Sequence, residues 1–408
     1  MSTRAILLFF ALPFLIGLER LAHYAARSGL GLHMAARPPE GLGMSISEVG
    51  SVFAQLSLFS VTAPIAAGLI ALAVGPAATL GIGAFIASVG YALLGAGGQD
   101  EITLAVGFIA AGTGMCRPSG FALAASELKD RAEPVRSALF FLLYAAINLG
   151  AFLGSFAAGF GFSAAGPRAV FGVAAGIALI AAFLGGGLFA WLRFARGPTI
   201  SSSPPGGREI AGLVLLWGVL APTILMQVAE TTSQYTLFGG PSGVANTAIN
   251  VINPIVSIAV SLGGCAALLV LSSTSKWTIP ILVLIGAGLV AWGLASGLLA
   301  AAPRGREIVP LFLAVAVVSA AGESVVGPLS LSRAAAGGSP RFSTLVVAVW
   351  LAASGGMNMV AHALVGLVDA RIVSGVTAVL TVIAGVALIG LARPIERTFF
   401  SEAPAARS

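Results

Sequence analysis

Residues 4–34 read RAILLFFALPFLIGLERLAHYAARSGLGLHM, an apolar run interrupted midway by Glu19 and Arg20. An α-helix rises about 1.5 Å per residue, so about 20 apolar residues cross the roughly 30 Å hydrocarbon core of a bilayer. The run is long enough to span, and it carries two adjacent charges near mid-depth. Charges at that depth are costly unless they face a protein interior or a water-filled cavity, so they mark functional positions. Arg27, Arg117, Glu230 and Glu323 also fall within apolar stretches. The first inference is an all-α polytopic membrane protein with a charged central cavity.

Composition agrees. Hydrophobic residues make up 58% of the 408 and charged residues 9%, against about 25% charged in an average soluble domain. Mean hydropathy is +1.01. The 53 glycines suit membrane helices, whose backbones approach closely at small residues. The net charge of +6 forms no basic patch on a soluble segment, so no nucleic-acid partner is expected and the cations read as loop anchors. Cys116 and Cys265 lie in apolar segments and read as buried thiols. The N-terminal run is too long and too charged for a signal-peptide core, so it reads as a retained first helix.

Apolar length and turn residues predict twelve crossings, over 4–32, 46–72, 77–97, 101–124, 135–163, 167–192, 209–236, 243–271, 276–299, 306–332, 341–366 and 369–392. Pro38-Pro39-Glu40-Gly41, Gly75-Pro76, Gly97 to Glu101 and Gly166-Pro167-Arg168 separate the early ones. Orientation follows from the excess of Lys and Arg in cytoplasmic loops. With the N-terminus inside, the inner segments hold thirteen basic residues and the outer loops five (Arg37, Arg168, Arg304, Arg306 and Arg371). Both termini are therefore expected in the cytoplasm, in a bacterial-type plasma (inner) membrane.

The polar stretch from Arg196 to Arg208 reads as a flexible inner linker. It divides the chain into a six-helix bundle at 1–193, a cytoplasmic linker at 194–208 and a second six-helix bundle at 209–408. Two bundles with a midplane site are the layout of a secondary transporter. No carbonyl-rich filter or repeated charged ring suggests a channel. His23, His33 and His362 lack metal-ligand spacing, and no Ser, Cys and His gather around a nucleophile, so no enzyme centre, metal site or organic cofactor is expected.

The first crossing carries the most chemistry. Arg20, Tyr24 and Arg27 recur at three- to four-residue spacing and share a helix face, which Glu19 borders about 100° away. Arg20, Arg27 and Arg117 outnumber Glu19, so a ligand carboxylate is expected to supply part of the balance. Pro118, after Arg117, removes a backbone donor. Tyr144 and Asn148 are four apart on one face. Glu230 and Arg27 lie at compatible outer depth for an ion pair between bundles. Glu323 lies near the middle of the 306–332 crossing, where desolvation favours the protonated form.

These residues resemble the proton-coupled oligopeptide transporter family of the major facilitator superfamily, in a divergent twelve-helix form. The family's first-helix signature Glu-x-x-Glu-Arg-Phe-x-Tyr-Tyr-Gly-x-Arg is matched in part by Ile16-Gly-Leu-Glu19-Arg20-Leu21-Ala-His23-Tyr24-Ala25-Ala-Arg27. Gly-x-Gly-x-x-Lys-Pro-Asn is similar to Gly112-Thr-Gly114-Met-Cys-Arg117-Pro118-Ser119. Phe-x-x-x-Tyr-x-x-Ile-Asn-x-Gly is similar to the stretch from Phe140 through Tyr144, Ile147 and Asn148 to Gly150. Ile-Asn-Pro appears as Ile252-Asn253-Pro254, and Glu-x-x-x-x-Pro-x-Gly-x-Ser resembles the stretch from Glu323 through Pro328 to Ser332.

The resemblance implies alternating access and proton-coupled uptake of di- and tripeptides or similar zwitterions. Arg20 and Arg117 would hold the peptide carboxylate. Glu323 would hold the amino group, with Tyr24, Tyr144, Asn148 and Asn253 nearby. Glu19 or Glu323 would carry the coupling proton, and Arg27 with Glu230 would form an outer gate. The expected partners are a small solute or short peptide and the bilayer, with a monomer as the working unit.

The chain departs from the family at several places. Ile16 replaces the first Glu, and Ala71-Leu-Ala-Val-Gly-Pro-Ala replaces the usual Asp and basic residues after the second crossing. The seventh lacks the Glu-Gln pair, and no room exists for the two extra helices many bacterial members carry. The alternative is a major facilitator exporter or symporter of another small amphiphilic or anionic solute.

Overall fold

The computed structural model describes residues 3–38, 41–129, 131–196, 206–223, 244–273, 279–302, 309–336, 340–364, 367 and 369–400. They form helices and turns. In chain order the helices are α1 (Thr3–Ala35), α2 (Ile46–Val74), α3 (Pro76–Ala96), α4 (Ile102–Glu127), α5 (Glu133–Arg196) and α6 (Gly207–Leu220). Then come α7 (Val244–Ser273), α8 (Ile281–Ala300), α9 (Val309–Ala335), α10 (Pro340–Leu364) and α11 (Ala370–Ile395), which ends in a π turn, Glu396–Phe400. Among the described residues, eight helices are long and apolar enough to cross a membrane. The crossing expected at 209–236 is described only in part, as α6, because 224–243 lie outside the described residues.

The predicted boundaries follow from local chemistry. Ser45 caps α2 in a reciprocal box: its hydroxyl accepts from the Glu48 N–H at 3.3 Å, and its own N–H donates to the Glu48 carboxylate at 2.7 Å. Gly75, at φ 85°, ends α2, and Pro76 opens α3 at its first position. Asp369 caps α11 by accepting from the N–H groups of Arg371 and Ile372. Helix α5 has 64 residues, about three times what one crossing needs. It is two arms, 133–165 and 167–196, joined at Gly166, whose φ of 77° and ψ of 170° are not helical. Pro167 then restarts the helix, as the Gly-Pro pair predicted.

The chain forms two compact units. Unit 1 comprises Met1–Arg131, Leu142–Ser203 and Ser339–Gly356; unit 2 comprises Ala132–Phe141, Pro204–Gly338 and Met357–Ser408. In unit 1, Ala22, Ala26, Leu30 and Met34 form a four-residue-spaced stripe on α1 and meet Val52, Leu56, Tyr91, Leu94 and Ile109 in a common core. Large apolar side chains such as Phe10, Phe14, Phe156, Phe160 and Phe183 point outward, the side a bilayer would cover. Apolar burial gives little drive between helices in lipid, so close packing at small residues must supply it. In unit 2, Gly286 on α8 and Gly385 on α11 face one another so closely that a Cβ on either would lie 2.6–2.7 Å from the other's carbonyl oxygen.

Candidate functional site

The charged site of unit 1 is assembled by glycine. Gly112 on α4 sits against α3, where an added Cβ would come within 2.4 Å of the Gly83 carbonyl and the Ala87 nitrogen. Gly114 sits instead against α2, 2.8 Å from the Ala63 Cβ. Two residues along a helix are about 200° apart, so this Gly-x-Gly wedges α4 between α2 and α3. The wedge fixes the rotation of α4 and turns Arg117 toward a third side. On α5, Gly150 and Gly154 do the same against α1: added Cβ atoms would lie 2.5 Å from the Gly17 carbonyl and 2.4 Å from that of Leu21. Arg20 lies in that contact, its Cβ 2.9 Å from the place a Gly150 Cβ would take.

Glu19 and Arg20 are 2% and 4% exposed. Their pairing is bidentate: the Arg20 Nε donates to Glu19 Oε2 at 2.6 Å and Nη2 donates to Oε1 at 2.5 Å. Sequential helix residues do not face one another, so both side chains bend toward a shared point. A buried charge without a partner is strongly destabilising, and this pair satisfies both members.

Among the described residues Arg117 forms no ion pair with an acid. It is half-buried, and its Nε is shielded from solvent with no hydrogen-bond partner among the described residues. Its electrostatic neighbours are Arg20, Tyr24, Glu19 and Tyr144. Thus α1, α4 and α5 bring Glu19, Arg20, Tyr24, Arg117 and Tyr144 into one neighbourhood. Asn148 is on the same stretch of α5, half-buried, with its amide donating to the Tyr144 carbonyl at 2.9 Å. Arg27 is on the exposed side of α1, within electrostatic reach of His23. Its expected partner Glu230 lies outside the described residues.

Glu323 and Asn253 belong to unit 2. Glu323 is half-buried on α9, beside Gly322, whose missing Cβ lets α8 approach at Trp292 and Gly288. Asn253 is half-buried on α7, where its carbonyl oxygen accepts from the Ser257 hydroxyl at 3.3 Å. Helix α9 packs on both α7 and α8.

Three residues enlarge the unit 1 site beyond the sequence reading. The Tyr91 hydroxyl lies 3.5 Å from His23 Nδ1, both residues being buried. His23 also meets the Tyr24 ring edge to face, with centroids 5.3 Å apart. Cys116 donates to the Leu80 carbonyl at 3.5 Å, and it and Cys265 are free buried thiols, as expected. One sequence signal pointed to Tyr91. The chain has only four tyrosines, and Tyr24, Tyr91 and Tyr144 all interrupt apolar helices. Ile16, at the position of the family's first Glu, is 2% exposed and packs its Cδ1 against Gly120 of α4. That position is an apolar helix contact.

No protein-family model matches the chain, and no curated protein matches it. Solved structures do. The peptide transporter POT in complex with sulfate is 18% identical, with 97% of this chain and 96% of that chain aligned at a TM-score of 0.64. The human organic anion transporter MFSD10 (TETRAN) is 18% identical, covering 93% and 99% at 0.65. A POT family transporter in complex with 5-aminolevulinic acid is 14% identical, covering 95% and 96% at 0.61. The likeness is one of fold: over nearly its whole length this chain, a multi-pass membrane protein, shares the fold of these transporters.

Proposed function

We propose that the protein is a secondary active transporter working by alternating access, and that it takes up di- and tripeptides or similar zwitterions with protons. Both termini face the cytoplasm, as the distribution of Lys and Arg indicates, and the working unit is a monomer. One observation carries the reading: a half-buried guanidinium, Arg117, faces a pair in which Glu19 already neutralises Arg20. The group that completes this site is an anion from outside the protein, and a carboxylate fits a guanidinium fork in two parallel hydrogen bonds. Glu323, on an apolar helix of the other unit, is the acid for a solute amino group.

The Glu19–Arg20 pair also gives a coupling route. Protonating Glu19 weakens its hold on Arg20, freeing a second guanidinium for the solute carboxylate. Proton and solute then favour one another, which is the linkage that symport requires. The positive excess supports a second reading, an organic anion without an amino group, for which Glu323 would be dispensable.

The test is uptake of labelled dialanine into proteoliposomes under an inward proton gradient, with succinate and the uncharged diketopiperazine as competitors. Saturable uptake lost in Arg117→Ala and Glu323→Gln establishes the zwitterion reading. Uptake of succinate but not of dialanine, unaffected by Glu323→Gln, moves the organic anion forward. Uptake of neither by folded protein overturns both.

A further inference from the structure

Helices α8 and α11, both in unit 2, touch closely at glycines and leave a gap near one end. A Cβ on Gly286 of α8 would lie 2.7 Å from both the Gly385 carbonyl and Ile389 Cγ1 of α11. One residue past Ile389, the would-be Cβ of Gly390 has nothing within 4 Å. The helices meet again at Glu396, whose carboxylate accepts from the Leu282 N–H at 3.4 Å. Beside these contacts lies a groove of about 400 Å³. Ile279, Pro280 and Val283 line one wall, and Ile389, Gly390 and Arg393 line the other.

The groove opens to the outside of the unit, since Ile279 and Ile389 are 45% and 38% exposed. Charge fixes its depth. Residues 372–392 of α11 carry no ionisable side chain. At about 1.5 Å per residue they match the roughly 30 Å hydrocarbon core of a bilayer. Arg393 is the first charge after them, so it stands at the membrane interface. From there the groove runs past Gly390 and Ile389 into the apolar layer.

Arg393 is exposed, and among the described residues it forms no ion pair or hydrogen bond. The acid one turn on, Glu396, does not serve it, because its carboxylate is held by Arg333 at 3.2 Å. Pro394 lies inside α11 and has no N–H to give the Gly390 carbonyl, which leaves that oxygen open to another donor. The mouth of the groove thus offers a guanidinium for a phosphate and a carbonyl for a hydroxyl. Its floor offers only apolar side chains. Basic pockets between helices at this depth suit anionic lipid headgroups, and an acyl chain completes the fit along Val283 and Ile389.

We propose that this groove between α8 and α11 is a binding site for an anionic phospholipid bearing a headgroup hydroxyl, such as phosphatidylglycerol. Arg393 takes the phosphate, and the lipid comes from the leaflet on the C-terminal side. With the C-terminus in the cytoplasm, that is the inner leaflet. All the lining residues belong to unit 2, so the site exists without any particular arrangement of the two units.

The test is native mass spectrometry of the full-length protein in detergent, titrated with dioleoyl phosphatidylglycerol or dioleoyl phosphatidylcholine. Phosphatidylglycerol should bind about tenfold tighter, as expected of charge-assisted hydrogen bonds. Arg393→Gln and Gly390→Phe should each weaken it about tenfold, the first by removing the guanidinium and the second by filling the groove. Arg208→Gln, at an exposed arginine opening α6 outside the groove, should change it less than about twofold. Equal binding of the two lipids overturns the site. So does an equal loss in Arg208→Gln and Arg393→Gln, which would mean general attraction to a basic surface, or unchanged affinity in Gly390→Phe. If Gly390→Phe does not fold, phosphatidylglycerol with a photoreactive acyl chain is crosslinked to the parent protein. Adducts within 279–283 or 389–393 support the site, and adducts only elsewhere overturn it. No step uses a transported solute, so failure here leaves the transport reading standing.

Discussion

Arg20 and Arg117 are neighbouring cations of unit 1, yet truncating them should have opposite consequences. Arg20→Ala strands Glu19, which is 2% exposed. Breaking a buried pair from one side costs about 3–5 kcal/mol, so this variant should melt well below the parent in detergent. Arg117→Ala removes a cation whose Nε has no partner among the described residues. Its melting temperature should stay within the effect of about 1 kcal/mol, while uptake suffers. Hydrogen bonds to a charged group contribute about 1.5–3 kcal/mol each, so KM should rise roughly 10- to 100-fold. Equal loss of stability in both variants would make Arg117 a structural residue. Glu19, Arg20 and Arg117 were legible in the sequence because ionised side chains stand out in an apolar helix. The Tyr91–His23 contact was not, because it joins residues 68 positions apart and depends on how α1 meets α3.

At the scale of helices, glycine placement carries the fold. Gly150 and Gly154 allow α5 to touch the α1 backbone beside Arg20, whereas Gly159 on the same arm has nothing within 4 Å of its would-be Cβ. Gly150→Ala and Gly154→Ala should each destabilise by about 1–3 kcal/mol, the usual effect of overpacking, and should lower uptake by displacing Arg20. Gly159→Ala should leave both unchanged. Comparing melting curves and uptake across the three separates close helix contact from any general role of glycine. Gly166→Ala belongs to a different class. No atom crowds that site, but φ is +77°, so the penalty is backbone strain of about 1–2 kcal/mol. The turns at Gly75-Pro76 and Gly166-Pro167 were legible because these residues end or redirect helices wherever they fall. Which glycines seat a neighbouring helix was not legible, since a Gly every three or four residues in an apolar run looks the same whether it faces protein or lipid.

For the whole molecule the question is how a proton gradient could drive a solute, given that the position of the family's first Glu is held by Ile16. Two acids remain inside apolar helices among the described residues, Glu19 in unit 1 and Glu323 in unit 2, and their surroundings suggest different duties. On the proposed reading Glu19, paired with Arg20, competes with an incoming carboxylate, so a proton on Glu19 and a solute at Arg20 assist one another. Solute affinity in the parent should therefore rise as pH falls. Glu19→Gln imitates the protonated state: it should bind at least as tightly, lose most of that pH dependence, and fail to concentrate solute under an inward proton gradient. Exchange of labelled for unlabelled solute, which needs no net proton movement, should persist. Glu323→Gln removes the acid proposed to hold a solute amino group and should abolish gradient-driven uptake and exchange alike. Binding titrations across pH and counterflow in proteoliposomes measure both. The opposite pattern, with exchange lost in Glu19→Gln and only the gradient response lost in Glu323→Gln, would move the coupling proton to Glu323. It would leave Glu19 with the single task of holding Arg20 in place.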